Sequence, residues 1–292
     1  MAHRAGFVNI IGLPNVGKST LLNALLGERL VIVNPKAQTT RHRILGILNG
    51  EDFQLVLSDT PGILDPQYPL QDSMMREVDE ALKDADVLLV MVEAGQRPER
   101  SEAVLERARR CRGPMLLLLN KIDISDQARV AVELEQWRTA LPHAGLLPIS
   151  ALHGFNVAEL RAKLAGMLPE HPPYYPKDEL SDRNMRFFVA EIIREKILSY
   201  YQQEVPYSTE VVVTDFKEEG DIVRIRAEVI VMRDSQKGII IGRGGAALRR
   251  LGTEARRDIE RFVGNKVFLD LRVKVDPDWR QDQRKLRKYG YR

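Results

Sequence analysis

The stretch Gly12-Leu13-Pro14-Asn15-Val16-Gly17-Lys18-Ser19 restricts the fold of this chain more than any other. It reads G-x-x-x-x-G-K-S. The apolar run Phe7–Ile11 before it suits a buried strand, and Thr20–Leu26 after it suits a helix closed by Gly27. Strand, glycine loop and helix build a phosphate cradle: backbone N–H groups turn inward and the helix N-terminus adds positive potential. In such a cradle Lys18 reaches the outer phosphates and the Ser19 hydroxyl serves Mg²⁺. Gly12, Asn15, Val16, Gly17 and Thr20 complete the expected loop contacts. The expected fold class is α/β, a P-loop NTPase with a mostly parallel sheet and flanking helices.

A second motif points to the base. Pro114–Leu119 reads as a strand that ends in Asn120-Lys121-Ile122-Asp123, where open α/β sheets bind ligands. The Asp123 carboxylate can accept from guanine N1–H and the 2-amino group, and adenine lacks both donors. A site built on such hydrogen bonds rejects the analogue by about 10⁴-fold or more. Asn120 suits the guanine N7 edge, and the Lys121 stem can lie along the ring. In Ser150-Ala151-Leu152 the Ala151 N–H suits guanine O6.

Between these lies Asp59-Thr60-Pro61-Gly62. Asp59 suits the outer Mg²⁺ shell, and the Gly62 N–H the γ-phosphate. In the polar segment Lys36–Arg43, Thr40 is preferred over Thr39 as a Mg²⁺ ligand. Lys18, Thr40 and Gly62 are therefore the catalytic candidates, and Ser19, Thr40 and Asp59 the metal candidates. Ile63 follows where signalling GTPases carry a water-orienting glutamine, so unaided hydrolysis is expected to be slow. Asn15 suits a K⁺ site beside the phosphates or a loop residue bonded only to backbone. In this order the motifs resemble those of translation-factor-type GTPases.

The 292 residues suffice for two domains. No apolar run is long enough to span a bilayer, and with Met1–Gly6 entering the first strand almost at once no signal peptide is expected. The single Cys111 permits no intrachain disulfide. A cytoplasmic location is expected, and nothing demands a dimer. Charge is uneven. Residues 181–292 hold 24 Lys and Arg against 18 Asp and Glu, and the rest hold 20 against 23. A basic second half on an acidic first half suggests a polyanionic partner.

Strands and helices alternate to residue 168, with helices expected at 71–83, 99–111, 128–140 and 156–167. The proline-rich run after Leu168 predicts a stiff, extended connector over 169–181. Ser181-Asp182 is expected to cap a helix over 183–201. The next domain, 182–275, reads helix, strand, strand, helix, helix, strand, with strands at 208–217, 221–233 and 266–275. Gly242-Arg243-Gly244-Gly245 is a G-x-x-G loop with a basic residue. Such a loop between short helices clamps a nucleic-acid backbone in KH domains, and the element order resembles the type II KH fold. Lys237, Arg243 and Arg249 supply charge there, and Ile239 and Ile241 are expected to line the groove. The tail, 276–292, is dense in cations. Arg284, Lys285, Arg287 and Lys288 are read as phosphate contacts, Tyr289 and Tyr291 as candidates for base stacking, and Trp279 as packing.

With K-A-Q-T-T-R-H-R, E-I-I-R-E-K (Glu191–Lys196) and L-R-K-Y-G-Y (Leu286–Tyr291) added, nearly the whole chain resembles the Era family of GTPases. The resemblance implies GTP hydrolysis with Mg²⁺, binding of the 3′ end of 16S-type ribosomal RNA, and assistance in assembling the small ribosomal subunit. It also implies peripheral association with the inner membrane, of which the residues themselves carry no sign. Three other readings stand beside it. They are a constitutive RNA-binding module with a structural nucleotide site, a membrane-acting GTPase, and a P-loop kinase, which N-K-I-D and D-T-P-G speak against.

Overall fold

Continuous apolar runs, rather than alternating ones, make most of the first sheet, as parallel strands covered on both faces require. In the computed structural model, which describes residues 2–291, the strands are β1 (Arg4–Ile11), β2 (Ile44–Asn49), β3 (Phe53–Asp59), β4 (Val87–Glu93), β5 (Met115–Asn120) and β6 (Gly145–Pro148). Their order is β2-β3-β1-β4-β5-β6, and all neighbours are parallel except β2 and β3. Val87 to Val92 are fully buried at the centre. Helices α1 (Lys18–Leu26), α2 (Pro69–Lys83), α3 (Glu102–Arg110), α4 (Gln127–Ala140) and α5 (Val157–Met167) accompany the sheet.

The chain divides into one unit of residues 2–66 and 71–182 and a second of 67–70 and 183–291. Met1 and Arg292, the outermost residues of the expected domain and tail, lie outside the described residues. No helix among the described residues is long and apolar enough to cross a membrane.

The connector departs from expectation. Residues 169–181 belong to the first unit and are strapped to it. Ile47 N–H donates to the Leu180 carbonyl at 2.9 Å, Ser181 Oγ donates to the Leu45 carbonyl at 2.5 Å, and Leu45 N–H donates to Asp182 Oδ1 at 3.3 Å. Asn49 Nδ2 donates to the Lys177 carbonyl at 2.9 Å. The Leu45 and Ile47 backbone groups lie on the outer edge of β2, where an edge strand leaves them unpaired, and Asn49 adds its side-chain amide. The prolines keep the connector extended, and an extended chain is what a strand edge can bind. Ser181 and Asp182 are thereby diverted from the helix-capping role expected of them.

Alternation replaces continuity in the second unit. Helix α6 (Met185–Tyr200) is capped by the Asn184 side chain, which accepts from Phe187 N–H. Then come β7 (Glu210–Glu219), β8 (Ile222–Val231), α7 (Asp234–Ile241), α8 (Ala246–Val263) and β9 (Lys266–Val275). Strands β7 and β8 are antiparallel, β8 and β9 parallel. Val223, Ile225, Ala227 and Val229 point inward from β8 and meet Val189, Ile193 and Ile197 of α6 and Leu251, Ala255 and Ile259 of α8 in one core. Arg224 and Arg226, between them, are exposed. A three-stranded sheet with helices on one face leaves its other face to charged side chains, and the period-two pattern follows from that.

The tail folds back on this unit as α9 (Gln283–Lys288), capped by Asp282. Trp279 is fully buried and its Nε1–H donates to the Ser208 carbonyl at 3.0 Å. Tyr289 and Tyr291 pack against its ring, the Tyr289 hydroxyl donates to Asp276 at 2.5 Å, and the Tyr291 hydroxyl donates to Glu210. Neither tyrosine presents a free ring for stacking, contrary to expectation.

Candidate functional site

The first site is assembled where β1, β3 and β5 end. The loop Gly12–Gly17 leads into α1, and Gly17 caps it with φ 104°. A Cβ there would stand 2.3 Å from Asn120 Nδ2, so both the backbone angle and the space require glycine. Lys18 is almost wholly buried, and its Nζ donates to the carbonyls of Leu13 at 2.9 Å and Gly12 at 3.3 Å. Burial lowers its pKa to about 8, against an opposing pull from the Asp59 carboxylate. A buried ammonium held by carbonyls alone is one that an anion would stabilise.

The metal candidates meet. Asp59 Oδ2 accepts from Ser19 Oγ at 2.7 Å and from Thr40 Oγ1 at 3.0 Å, and the two hydroxyls are 3.1 Å apart. Thr40, and not Thr39, reaches this point. The Thr39 hydroxyl donates to the Lys36 carbonyl at 2.6 Å within its own turn. Hard oxygens from two hydroxyls and a carboxylate suit Mg²⁺, which leaves its other positions to phosphate and water.

Asp59-Thr60-Pro61-Gly62 is pinned to the loop. Ile63 N–H donates to the Gly12 carbonyl at 3.0 Å, and Thr60 Oγ1 donates to the Ile10 carbonyl at 2.6 Å. The Ile63 side chain is buried. It therefore neither bonds a water nor faces the cleft. Gly62 lies against Pro14.

At the base end one expectation changes. Asn120 Nδ2 donates to the Val16 carbonyl at 2.7 Å, and Asn120 Oδ1 accepts from Ala151 N–H at 2.9 Å. Asn120 thus ties the phosphate loop to the 150–152 loop, and the Ala151 N–H expected on guanine O6 has a partner inside the protein. Asp123 is oriented by Ser150, whose Oγ donates to Oδ1 at 2.6 Å. Lys121 has φ 62° and pairs with Glu93; Leu152 is exposed.

A cleft of about 380 Å³ joins these parts, lined by Asn15, Lys18, Ser19, Thr20, Thr40, Gly62, Lys121 and Leu152 among others. Val33, Asn34 and Pro35 line it too and were missed. Their position just before the polar 36–43 segment was the available signal. Glu93 was missed as well, although it ends the strand beside β5 in register with Asn120.

The second site is a groove of about 490 Å³ in the second unit. Gly244, Gly245, Leu248, Arg249, Gly252, Thr253, Arg256, Leu269 and Leu271 line it. Here the expected apolar lining is corrected. Ile239 is exposed and Ile241 half-buried, and neither is among the residues that line this groove, whose apolar floor comes from α8 and β9. Leu248, Gly252 and Arg256 recur every fourth residue on α8, the stripe that shares one helix face. Leu269 and Leu271 share one face of β9. Both periodicities were present to be read. Arg249 donates to the Gly244 carbonyl at 2.8 Å and so braces the loop, while Arg243 is exposed, as are Gly242's loop neighbours Gly244 and Ala246. Lys237, half-buried on α7, stands outside the groove lining.

In the tail, Arg284, Arg287 and Lys288 are exposed. Lys285 is engaged. Its Nζ donates to Asp276 Oδ1 and to the Pro277 carbonyl, each at 2.6 Å. Burial works against the charge of Asp276, but hydrogen bonds from Lys285 and Tyr289 hold its carboxyl below the usual range.

Residues 7–121 match the family described as 50S ribosome-binding GTPase, and residues 204–280 match the KH domain family. The chain is 45% identical to GTPase Era of Syntrophus aciditrophicus (strain SB), over 99% of this chain and 95% of that protein. It is 43% identical to GTPase Era of Staphylococcus epidermidis (strain ATCC 35984), over 99% of this chain and 97% of that protein. Among solved structures it is similar to Era in complex with MgGDPNP and nucleotides 1506–1542 of 16S ribosomal RNA, with TM-score 0.94, 38% identity and 99% of each chain covered. It is equally similar to an Aquifex aeolicus Era variant bound to GDP·AlF4⁻, with TM-score 0.95, 38% identity and 99% of each chain covered. A P-loop cleft built for a guanine nucleotide, followed by a KH unit and matched by such relatives from end to end, identifies the chain as a GTPase of the Era family.

Proposed function

We propose that this GTPase binds the 3′ end of 16S ribosomal RNA through the second-unit groove, under control of its nucleotide, and assists assembly of the small ribosomal subunit. The observation that carries the reading is the likeness, over 99% of both chains, to an Era complex that contains nucleotides 1506–1542 of 16S ribosomal RNA. The groove suits such a ligand. Glycines at its mouth admit a sugar–phosphate backbone, Arg249 and Arg256 supply charge, and leucines floor it for unstacked bases.

Ser19 and Thr40 would hold Mg²⁺ directly and Asp59 would hold it through water. Bound there, the ion neutralises charge that develops on the phosphates during transfer. Lys18 would leave the loop carbonyls for the β- and γ-phosphates. Asp123, steadied by Ser150, would read guanine N1 and N2. The remaining cofactor candidate, K⁺ at Asn15, is favoured by the placement of Asn15 in the cleft wall with a left-handed backbone, φ 66°. Because Ile63 is buried and apolar, water would be oriented by something other than a side chain at this position, and turnover by the protein alone would be slow.

Thr40 and Gly62 would each gain a contact from a γ-phosphate and its Mg²⁺ that GDP cannot supply, and the RNA groove would be tight in that state. Coupling of this kind is reciprocal, so RNA must tighten GTP binding by the factor by which GTP tightens RNA binding. The test is anisotropy titration of a labelled RNA with the 16S 3′-terminal sequence against the full-length protein loaded with a GTP analogue or with GDP. Tighter binding in the GTP state is expected. Equal affinities would leave a constitutive RNA binder, and absence of binding in both would remove the RNA assignment.

A further inference from the structure

We propose that Arg43 is a positioning residue for GTP hydrolysis, whose guanidinium anchors the C-terminal end of the 36–43 segment and thereby holds the Thr40 hydroxyl at Asp59 and Ser19. The proposal rests on the reading of Thr40 as a metal ligand.

Arg43 immediately precedes β2 and spends its whole fork on fixed partners. Nε donates to Ser58 Oγ at 2.8 Å. Nη1 and Nη2 donate to Asp84 Oδ2 and Oδ1 at 2.6 and 2.9 Å, and Nη2 also donates to Asn9 Oδ1 at 3.2 Å. Asn9 Nδ2 closes the network by donating to Asp84 Oδ1 at 2.8 Å and to the Ala81 carbonyl. One side chain so joins β1, β3 and the turn after α2. The Arg43 side chain is 14% exposed and that of Asp84 44%, while Ser58 and Asn9 are fully buried. The exposed half of the ion pair is screened and gives little energy by itself. The bidentate geometry and the buried acceptors give direction, and a lysine cannot reproduce the fork.

Geometry ties this clamp to the metal trio. Ser58 directly precedes Asp59, and successive strand side chains point to opposite faces, so Arg43 grips β3 from the face opposite the Asp59 carboxylate. Ile44 is in register with Asp59. Three residues along an extended chain cover about 10 Å, so Thr40 hangs on a short tether from the clamp. Strand β2 is already paired with β3 over Ile44–Asn49, and its pairing does not depend on this guanidinium. The segment before it lies outside any helix or strand and has no such ladder.

The test uses the full-length protein with Arg43→Ala, Arg43→Lys, Asp84→Asn and Thr40→Ala. The readouts are kcat and KM for GTP, the Mg²⁺ concentration for half-maximal rate, and affinities for GDP and a GTP analogue. Arg43→Ala is expected to lower kcat and GTP-analogue affinity about tenfold and to raise the Mg²⁺ requirement, with GDP affinity changed less than about twofold. Arg43→Lys should recover only part of the loss, and Asp84→Asn should fall between. Equal losses for GDP and GTP analogue, or an unchanged kcat and Mg²⁺ requirement, would overturn the proposal. Should Arg43→Ala fold poorly, Asp84→Asn carries the same test. If Thr40→Ala leaves GTP and GDP as distinct as before, the metal-ligand reading itself falls. If Thr40→Ala abolishes the distinction and the Arg43 variants preserve it, the Arg43 proposal alone falls.

Discussion

Two glycine loops in this molecule each open a helix, and they are built on opposite principles. Gly12–Gly17 leads into α1 with its cation, Lys18, buried and its glycines crowded; Gly242–Gly245 leads into α8 with Arg243 exposed. A Cβ on Gly17 would collide with Asn120, whereas one on Gly244 would meet nothing within 4 Å. Gly244 is nevertheless at φ 58°, a conformation that glycine adopts without penalty. The first loop is enclosed by the protein and suits one ligand of fixed size. The second is crowded only at Gly242, where a Cβ would stand 2.6 Å from that of Ala247, and is open at Gly244 and Gly245, which suits a polymer that must pass through. Enclosure gives the first loop its electrostatic leverage, because a buried ammonium feels a phosphate far more strongly than a solvated guanidinium does.

The sharpest way to break the contrast is to add the same methyl group to each loop. Gly17→Ala combines a positive φ with a steric collision against a buried asparagine. Nucleotide affinity should fall about 10³-fold, read by calorimetry, since backbone strain and a displaced loop together cost on the order of 2–6 kcal/mol. Gly244→Ala meets open space and should change RNA affinity only modestly. Measurable GTP binding at micromolar concentration by Gly17→Ala would deny that the first loop is enclosed in the way described.

Charge separates the loops next. Gly244→Asp places a carboxylate where a phosphate is proposed to pass, and RNA affinity should fall roughly tenfold at moderate salt. GTP turnover in the absence of RNA should stay near that of the unaltered protein. Filter binding across a salt series would check both halves, and an unchanged RNA affinity would remove this loop from the interface.

How far the two sites could be read from the sequence follows the same division. The enclosed site is defined by local strings, and its metal trio, Ser19, Thr40 and Asp59, comes together as their order suggests. What local strings could not give is who bonds whom. Asn120 and Ala151 each look like a base contact in isolation, and they satisfy one another, since a buried amide must find partners whether or not a ligand is present. The open groove was legible only as a loop. Its floor comes from Leu248 and Gly252 on a helix and Leu269 and Leu271 on a strand, which are set beside each other by tertiary packing. The connector shows the limit of composition. Prolines in 169–181 correctly indicate an extended chain, but extension is equally what the edge of β2 selects, and no residue of the segment announces that partner.

A pH titration sharpens the enclosed side of the comparison. In the free protein burial lowers the Lys18 pKa to about 8. A bound triphosphate raises it, so above pH 8 binding must place a proton on Lys18. Affinity for GTP is then independent of this group below pH 8 and declines as pH rises through it, by up to about tenfold per pH unit until the bound-state pKa is reached. Calorimetry in buffers of different ionisation enthalpy would detect the proton taken up at pH 9. RNA affinity, proposed above to draw its charge from arginines, should show no such step. A flat GTP profile from pH 7 to 9.5 would mean that the ammonium is not desolvated in the free loop.

The smallest effect concerns the tail, which can be set against both loops as a third cation-rich segment. Composition presents 276–292 as an arm for phosphates, yet its aromatic residues are committed to packing. Trp279 and Tyr291 are buried, and the Tyr291 hydroxyl donates to the buried carboxylate of Glu210. Tyr291→Phe keeps the ring and removes that hydrogen bond. A bond to a charged group contributes about 1.5–3 kcal/mol, so unfolding of the second unit in urea should shift by about that amount. RNA affinity should move less than about threefold, because exposed Arg284, Arg287 and Lys288 keep their positions. An arm that serves mainly as a ligand for RNA would give the reverse, unchanged stability with weakened binding. The tail would then belong with the open loop, and its packing against Trp279 would be incidental to what it does.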